Sequence, residues 1–446
     1  MKAGASQVCI TPTMDVDLTG FWAREQPSLG VHDDLYARGL YLDEAGRGEP
    51  ADAASARVPP SSGEKLLWLH CDVLGFEREW VWPLRARIAR ELGLAERQIV
   101  ISATHTHSGP ATQDLLGCGE VNAAYMIELD RRLMEAARQA AAAPEDVTPW
   151  FGEDRCMIGI DRRQRHGFTA NAHTDPVLPA IALRRGDGTY LAIIANYGMH
   201  NVAATGGNRL ISADAAGAAA EAVRAHFPGR PVTLFTNGGA GNVNPPEVSV
   251  DFGAVERIGA TLAASVILAV EQAVQCESRL ASSMCSMRLP LAALSREQIE
   301  RRCEQFVSEY GHQREIAEWR DTTLDQLARG AAPDHLEIDV QAFRIGPARF
   351  AAIPAEVFSR MADDLRAACG PRTYVLGYAN GNIGYLPFRE IYQEGKYEVE
   401  LAFIVYRRSF MTAPGGFELV RDKAIDLLKA LQLQATAREP PVDIIE

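Results

Sequence analysis

Short apolar runs that end in polar loops recur along this chain, and segments with helical spacing separate them. The strand-like runs are residues 66–69, 98–103, 191–196 and 232–236, and the helical segments are residues 80–92, 126–140, 214–226 and 254–274. The runs have the length of buried strands, whereas apolar residues three and four apart mark the faces of amphipathic helices. Strands that alternate with helices predict an α/β fold of layered sheet and flanking helices.

The last third of the chain begins with a long charged segment. Ser295 followed by Gln298 is typical of a capping box, which predicts a helical segment of residues 295–330 that covers the core. Later elements are predicted as a hairpin at 336–353 turning at Gly346, a helix at 355–368, a strand at 374–378 and a helix at 418–431, with a surface loop at 51–63 and a frayed tail after residue 437. Without an internal repeat or a long linker, we expect one domain over residues 1–446.

Charge and cysteine content restrict the partners and the compartment. The formal net charge of −13 argues against nucleic acid, because such a partner requires a basic surface. The most apolar helical stretch, residues 258–270, is shorter than the about 18 residues of a membrane span, and residues 1–13 lack a secretory signal. Eight scattered cysteines without a CxxC pair favour reduced thiols. We therefore expect a cytoplasmic protein with a small-molecule substrate and no integral membrane association; a homo-oligomer is compatible with these features.

Two histidines at the end of a predicted strand are the first candidates for chemistry. His105 and His107 lie in the string ISATHTHSGP. In extended backbone, side chains two residues apart point to the same side, so both imidazoles can converge on one ion, and zinc favours neutral imidazole nitrogens. Alternatively, the two histidines end a strand and bond to nearby loops.

Two further strand ends carry polar groups. His200 closes the string NYGMH, and Asp214 follows in NRLISAD at the start of a predicted helix. Asp214 either caps that helix or orients a ligand histidine. The glycine-rich loop of residues 236–246 permits close backbone approach, but no Lys-Ser or Lys-Thr follows it. A P-loop is therefore excluded.

These strings occur in the order found in the neutral and alkaline ceramidase family, which the chain resembles. HTHSGP, the NRLISAD segment and residues 237–246 match its central motifs, and residues 30–38 (GVHDDLYAR), 353–356 (IPAE) and 377–385 match other landmarks. The resemblance implies a mixed-sheet catalytic domain like that of this family. It also implies one zinc ion bound by His105, His200, Glu356 and Tyr385, with His107 close to the metal.

The resemblance also suggests residues that act on the substrate. Arg162 matches an arginine that the family places by its substrate, and Tyr397 matches a second active-site tyrosine. Asn242 and Asn244 are expected to bind substrate, and Asp214 joins His107 as a candidate proton carrier. The sequence departs from the family at Asn244, where the family has a serine, so a serine nucleophile is excluded there.

We expect a zinc-dependent hydrolase of an amide-type bond. Zinc lowers the pKa of bound water to about 7, and the resulting nucleophile attacks the carbonyl while Tyr385 or Arg162 stabilises the oxyanion. The larger ceramidases carry a C-terminal β-sandwich domain that does not follow the matched region here, which favours small or soluble N-acyl substrates.

Other functions remain open at the level of sequence. The same site can act as a lactonase, a lactamase or a ring-forming acyl-transfer enzyme, or the chain can bind zinc without catalysis. An amidohydrolase barrel would require more metal-binding histidines and an aspartate after successive strands, and only His200 with Asp214 approaches that pattern. A metallo-β-lactamase is excluded because no His-x-Asp-His follows His105.

Overall fold

The computed structural model describes residues 1–22, 24, 26–44, 63–311 and 313–436. The predicted loop at 51–63 lies outside the described residues except for Gly63, and the predicted frayed tail after residue 437 lies wholly outside them.

Nineteen strands are present in the described residues. They are β1 (Lys2–Cys9), β2 (Gly30–Val31), β3 (Tyr36–Asp43), β4 (Lys65–Cys71), β5 (Ile99–Ala103), β6 (Glu145–Arg155), β7 (Ile160–Asp161), β8 (Val177–Arg185), β9 (Tyr190–Tyr197), β10 (Leu210–Ile211), β11 (Val232–Asn237), β12 (Val243–Asn244), β13 (Val274–Gln275), β14 (Leu280–Pro290), β15 (His335–Ile345), β16 (Ala348–Ala352), β17 (Glu356–Val357), β18 (Thr373–Leu376) and β19 (Tyr385–Leu386).

Eleven α-helices are present in the same residues. They are α1 (Arg78–Leu92), α2 (Ala123–Ala142), α3 (Asp214–His226), α4 (Gly253–Glu271), α5 (Arg296–Tyr310), α6 (Gln313–Ala328), α7 (Arg360–Cys369), α8 (Ile391–Glu394), α9 (Tyr397–Glu400), α10 (Ala402–Val405) and α11 (Gly416–Thr436).

Two mixed sheets form the centre of the molecule. The larger has the order β11-β9-β8-β6-β1-β3-β4-β5 with β13 beside β6, and the smaller has the order β14-β15-β16-β18. Neighbouring strands are antiparallel except for the parallel pairs β4–β5, β9–β11 and β16–β18. The sheets pack face to face, with the Trp68 ring 5.1 Å from Phe343 and 5.7 Å from Phe350. Helices α1 to α4 cover the outer face of the larger sheet, and α7 and α11 cover the smaller one. This confirms the predicted layered α/β fold.

Local patterns located the long helices and the strands β4, β5, β9, β11, β15, β16 and β18, whereas the long strands β1, β3, β6, β8 and β14 were not predicted. The predicted charged segment is two helices: α5 begins with the expected Ser295–Gln298 capping box and ends before Gly311, whose φ is +79°. The predicted helix at 355–368 begins only at Arg360, because the chain first forms the two-residue strand β17. Helices α5 and α6 pack on a separate apolar cluster with α10, as expected for a cover.

Helix α4 is longer than the apolar stretch considered above. In the described part of the chain it is the one helix long and apolar enough to cross a membrane, by length and composition only. Of its most apolar window, 56% is buried inside the protein, where Ile258, Leu262 and Val266 join the core beneath α3. The core helix of a folded domain passes the same test, so this is weak evidence for a span.

Candidate metal centre

Three segments bring a histidine or a glutamate to one point. His105 follows β5 and its backbone N–H donates to the Val73 carbonyl at 3.0 Å; His200 follows β9 and donates likewise to Val243 at 2.8 Å. Glu356 lies in the two-residue strand β17, which pairs with β19. All three side chains are buried. Together with His107 we call them the His–Glu cluster.

The predicted reason for the convergence of His105 and His107 is wrong, although the two side chains do meet. Strand β5 ends at Ala103 and His105 has φ +60°, so the backbone is left-handed rather than extended. The turn nevertheless brings the two Nε2 atoms to 3.2 Å. A non-glycine residue in this conformation costs about 1–3 kcal/mol, which the hydrogen bonds and ring contacts of His105 must offset.

The orientation of the rings leaves lone pairs facing each other. His105 Nδ1 lies 2.8 Å from the Leu74 carbonyl oxygen and His200 Nδ1 lies 2.7 Å from that of Ala240. Because a carbonyl only accepts, both Nδ1 atoms are protonated and, in the neutral rings, both Nε2 atoms carry lone pairs. Glu356 Oε2 lies 2.9 Å from His200 Nε2 and 3.3 Å from His105 Nε2. Three acceptors thus converge without a hydrogen between them.

The electrostatics of the cluster fit a bound cation. Burial is the main cause that lowers the pKa of His200, so protonation of its ring is disfavoured. Burial alone would raise the pKa of Glu356, whereas positive charge on the neighbouring rings would hold it well below the usual range. Because both rings are neutral in the tautomers above and the buried Oε2 has no hydrogen-bond partner in the described chain, a bound cation would supply that charge. His105, His107 and His200 present ring nitrogens within 4.8 Å of one another. Imidazole nitrogens with one carboxylate oxygen form a donor set that suits zinc.

Glu356 is held by a short parallel strand pair and by a tyrosine. The prediction that it begins a helix is wrong; in β17 it pairs with Tyr385 of β19, so the two residues are set by one register. Its Oε1 accepts a hydrogen bond of 2.5 Å from the Tyr406 hydroxyl, which leaves Oε2 directed at the two histidines. Tyr406 was not predicted: it follows an apolar segment that carries no motif, fifty residues from Glu356.

Tyr385, Arg162 and Tyr397 lie together beside the cluster. The Tyr385 hydroxyl is 3.4 Å from His200 Nε2. The Arg162 guanidinium lies 4.9 Å above the Tyr385 ring and 6.0 Å from the Tyr397 ring, and its Nε donates to Glu398 at 2.8 Å. Its buried Nη2 has no hydrogen-bond partner among the described residues. The predicted site residues are thus adjacent, while their individual roles stay predictions.

Three other predicted residues differ in the number of hydrogen bonds that their side chains make within the protein. Asp214 accepts from the backbone N–H groups of Ala203, Ala204 and Ala215 at 2.6–3.0 Å, so it holds the loop after His200. Asn242 donates to Asp161 and to the His173 carbonyl and accepts from the Ser359 N–H. By contrast, Asn244 is half-buried and its Oδ1 has no partner in the described chain.

Aromatic rings line the cluster, most of them unmarked in the sequence. Tyr378 stacks on His105 at 3.9 Å, and Phe21 meets His107 edge-on at 4.9 Å. A second row runs outward from Tyr385. Its successive ring distances are 5.7 Å from Tyr385 to Tyr397, 6.2 Å to Tyr310, 5.1 Å to Phe306 and 4.7 Å to Trp22. Tyr310 and Phe306 belong to α5, so the predicted cover helix also forms part of the wall of the site.

Comparisons with known proteins relate the chain to ceramidases by sequence and by fold. No protein-family model matches the chain. A neutral ceramidase of Pseudomonas aeruginosa is 24% identical over 251 residues, which covers 52% of this chain and only 35% of that relative. The crystal structure of neutral ceramidase from that organism superposes with a TM-score of 0.75 at 20% identity, over 97% of this chain and 74% of that one. A structure described as ceramidase complexed with C2 gives 0.74 at 19% identity, over 97% and 75%. The sequence match and the shared fold confirm the predicted relationship to the neutral ceramidase family.

Proposed function

We propose that this protein is a zinc-dependent hydrolase of an amide-type bond in a small or soluble N-acyl substrate. The observation that carries the proposal is the convergence of His105 Nε2, His200 Nε2 and Glu356 Oε2, three buried groups that a cation between them would satisfy together. The related proteins are named ceramidases, which supports an N-acyl amide as the bond cleaved.

The residues around the cluster suit attack on a carbonyl. A zinc ion there would polarise the carbonyl and supply a nucleophile from water at neutral pH. The Tyr385 O–H, 3.4 Å from His200 Nε2, and the unpartnered Arg162 Nη2 are donors that can stabilise developing negative charge on oxygen. His107 Nε2, 3.2 Å from His105 Nε2, is placed to take up a proton and pass it to the leaving amine.

The covering helices support a compact substrate. Tyr310 and Phe306 of α5 extend the aromatic row that starts at Tyr385, so side chains of a distant segment line one side of the path away from the cluster. Such a wall favours short or flat acyl groups over long chains.

We also propose a cytoplasmic location. All eight cysteines lie in the described residues and are unpaired, which agrees with a reducing compartment. A homo-oligomer remains compatible with the chain.

The test combines metal analysis with a substrate panel. We expect about one zinc per chain in the wild type, lost in His105→Ala, His200→Ala and Glu356→Gln and retained in His226→Ala, whose histidine is on the surface. N-acyl amines of increasing chain length are then assayed with the zinc-loaded protein, and release of the free amine is expected for short acyl groups. Zinc that survives all three cluster substitutions would refute the metal site, and zinc without hydrolysis of any amide would refute the activity.

A further inference from the structure

Asn244 carries a hydrogen-bond acceptor that the protein leaves unused. Its Oδ1 is buried and has no partner in the described chain, although the side chain as a whole is only half-buried. A buried polar atom without a partner costs about 1–3 kcal/mol, so native structures rarely keep one without a reason. The neighbouring Asn242 shows the usual situation, since its amide bonds to three protein groups.

Asn244 lies beside the candidate metal centre along the backbone, on the same strand face as Arg162. The preceding residue, Val243, accepts a hydrogen bond from the His200 N–H at 2.8 Å, so Asn244 lies beside a cluster histidine. In the β7–β12 pair Asn244 is opposite Ile160, and the Arg162 N–H donates to the Asn242 carbonyl at 2.8 Å and continues that pairing. Residues two apart on a strand share a face, which places Arg162 diagonally across from Asn244, within reach of a long side chain.

Arg162 supplies the complementary group. Its buried Nη2 is a donor without a partner among the described residues, while its Nε is held by Glu398 and its plane lies over Tyr385. The β7–β12 pair and the residue after β7 therefore offer one acceptor, Asn244 Oδ1, and one donor, Arg162 Nη2, without partners in the described chain. A secondary amide carries the matching pair, an N–H and a carbonyl oxygen.

We propose that Asn244 accepts a hydrogen bond from the N–H of the substrate's amide and so makes the site selective for secondary amides over esters and lactones of the same acid. This inference rests on the proposed amide-hydrolase function and names its substrate class. An ester places an oxygen where the amide has its N–H, and two acceptors would then face each other. A site that bonds a donor group rejects analogues without it, because its own polar atom is left unpaired.

The test compares an anilide with the ester of the same acid. N-butanoyl-4-nitroaniline and 4-nitrophenyl butanoate are measured with the zinc-loaded wild type and with Asn244→Leu, Asn244→Asp and Asn171→Leu. The leucine variant removes the acceptor at similar size and the aspartate variant keeps an oxygen acceptor. Asn171→Leu is the matched control, because that amide bonds to Glu394 away from the cluster. Where the wild type turns the compounds over, kcat/KM is measured; where it does not, calorimetric Kd values of the same compounds are measured.

The expected result is a change in the ratio between the two compounds. We expect Asn244→Leu to weaken the anilide about tenfold, the equivalent of one hydrogen bond, and to leave the ester within about twofold. Asn244→Asp should keep the wild-type ratio, as should Asn171→Leu. An equal loss for both compounds, or no loss for either, would overturn the inference, and so would absence of binding. If Asn244→Leu does not fold, the N–H is removed from the compound instead of the acceptor from the protein. The wild type must then bind the N-methyl derivative of the anilide about tenfold more weakly than the anilide itself. Absence of turnover with preserved discrimination would count against the hydrolase alone.

Discussion

Removal of the Tyr406 hydroxyl tests how the protein aims Glu356. The phenol donates at 2.5 Å to the buried Glu356 Oε1 and also accepts from Asn382 Nδ2 at 3.1 Å. A hydrogen bond to a charged group contributes about 1.5–3 kcal/mol, and loss of the partner of one Asn382 N–H adds about 1 kcal/mol, while the other N–H still donates to Gln113. We therefore expect Tyr406→Phe to lower the free energy of unfolding by about 3 kcal/mol and to weaken zinc binding about 10–100-fold, as is usual for groups that orient a ligand.

The assay for this variant is chelator competition for the zinc Kd, together with urea unfolding of the metal-free protein. The control is Tyr392→Phe, because the Tyr392 hydroxyl donates at 3.0 Å to the neutral Thr412 carbonyl outside the cluster. That control should lose about 1 kcal/mol of stability and keep the wild-type zinc Kd. A Tyr406→Phe protein with unchanged zinc affinity would refute the idea that this hydroxyl sets the direction of Oε2.

Three further substitutions probe the loop after His200, the backbone beside Glu356 and the wall of the site. Burial raises the pKa of Asp214 to about 6, so its contribution to stability is present below pH 4 and is lost as the pH rises through 6. The stability of the wild type relative to Asp214→Asn, measured by urea unfolding, should therefore fall by about 2.5 kcal/mol from pH 4 to pH 7. A constant difference would contradict this. A Cβ at Gly241 would overlap the Glu356 carbonyl oxygen, whereas one at Gly186 would meet open space. Gly241→Ala should therefore lose about 1–3 kcal/mol of stability and part of its bound zinc, while Gly186→Ala serves as the control. Equal urea midpoints for the two variants would contradict this. Tyr310→Ala should raise kcat/KM for long N-acyl chains relative to short ones without change in zinc content; an unchanged chain-length profile would show that α5 does not limit the substrate.

The long helices and seven of the strands could be predicted because their signals are local, but half of the larger sheet (β1, β3, β6 and β8) was missed. The strand β9 and the helix α3 lie within one or two residues of the predicted bounds, since apolar period and flanking loops are contained in a short window. Strand β17 could not be found in this way. It has two residues and exists because it pairs with Tyr385 in β19, so its existence depends on a distant partner, and a helical pattern in the following residues hid it.

The candidate site shows the same division. His105 and His200 stand at strand ends, where a polar residue after an apolar run is visible in the sequence. Tyr406 bonds to Glu356 from a segment for which no element was predicted, and Phe306 joins the aromatic row from the segment predicted only as a charged cover. Asn242 was expected to bind substrate for the same reason as Asn244, and only their hydrogen bonds distinguish the two residues. The Asn242 amide bonds to protein groups, whereas Asn244 Oδ1 has no partner in the described chain.

Backbone strain gathers where the two sheets meet the His–Glu cluster. His105, Tyr378 and Asn380 all have positive φ without being glycine, and the three are linked, since the Ala103 N–H donates to the Tyr378 carbonyl and the Asn380 N–H donates to that of Ile101. Each such residue costs about 1–3 kcal/mol, which the stacking of His105 on Tyr378 at 3.9 Å and the bond from Asn380 to Gln341 partly offset. A regular strand end would spare this strain, but it would point the Nε2 atom of His105 elsewhere. The left-handed turn at His105 therefore brings its Nε2 atom to His107 and Glu356 at the cost of strain at the end of β5.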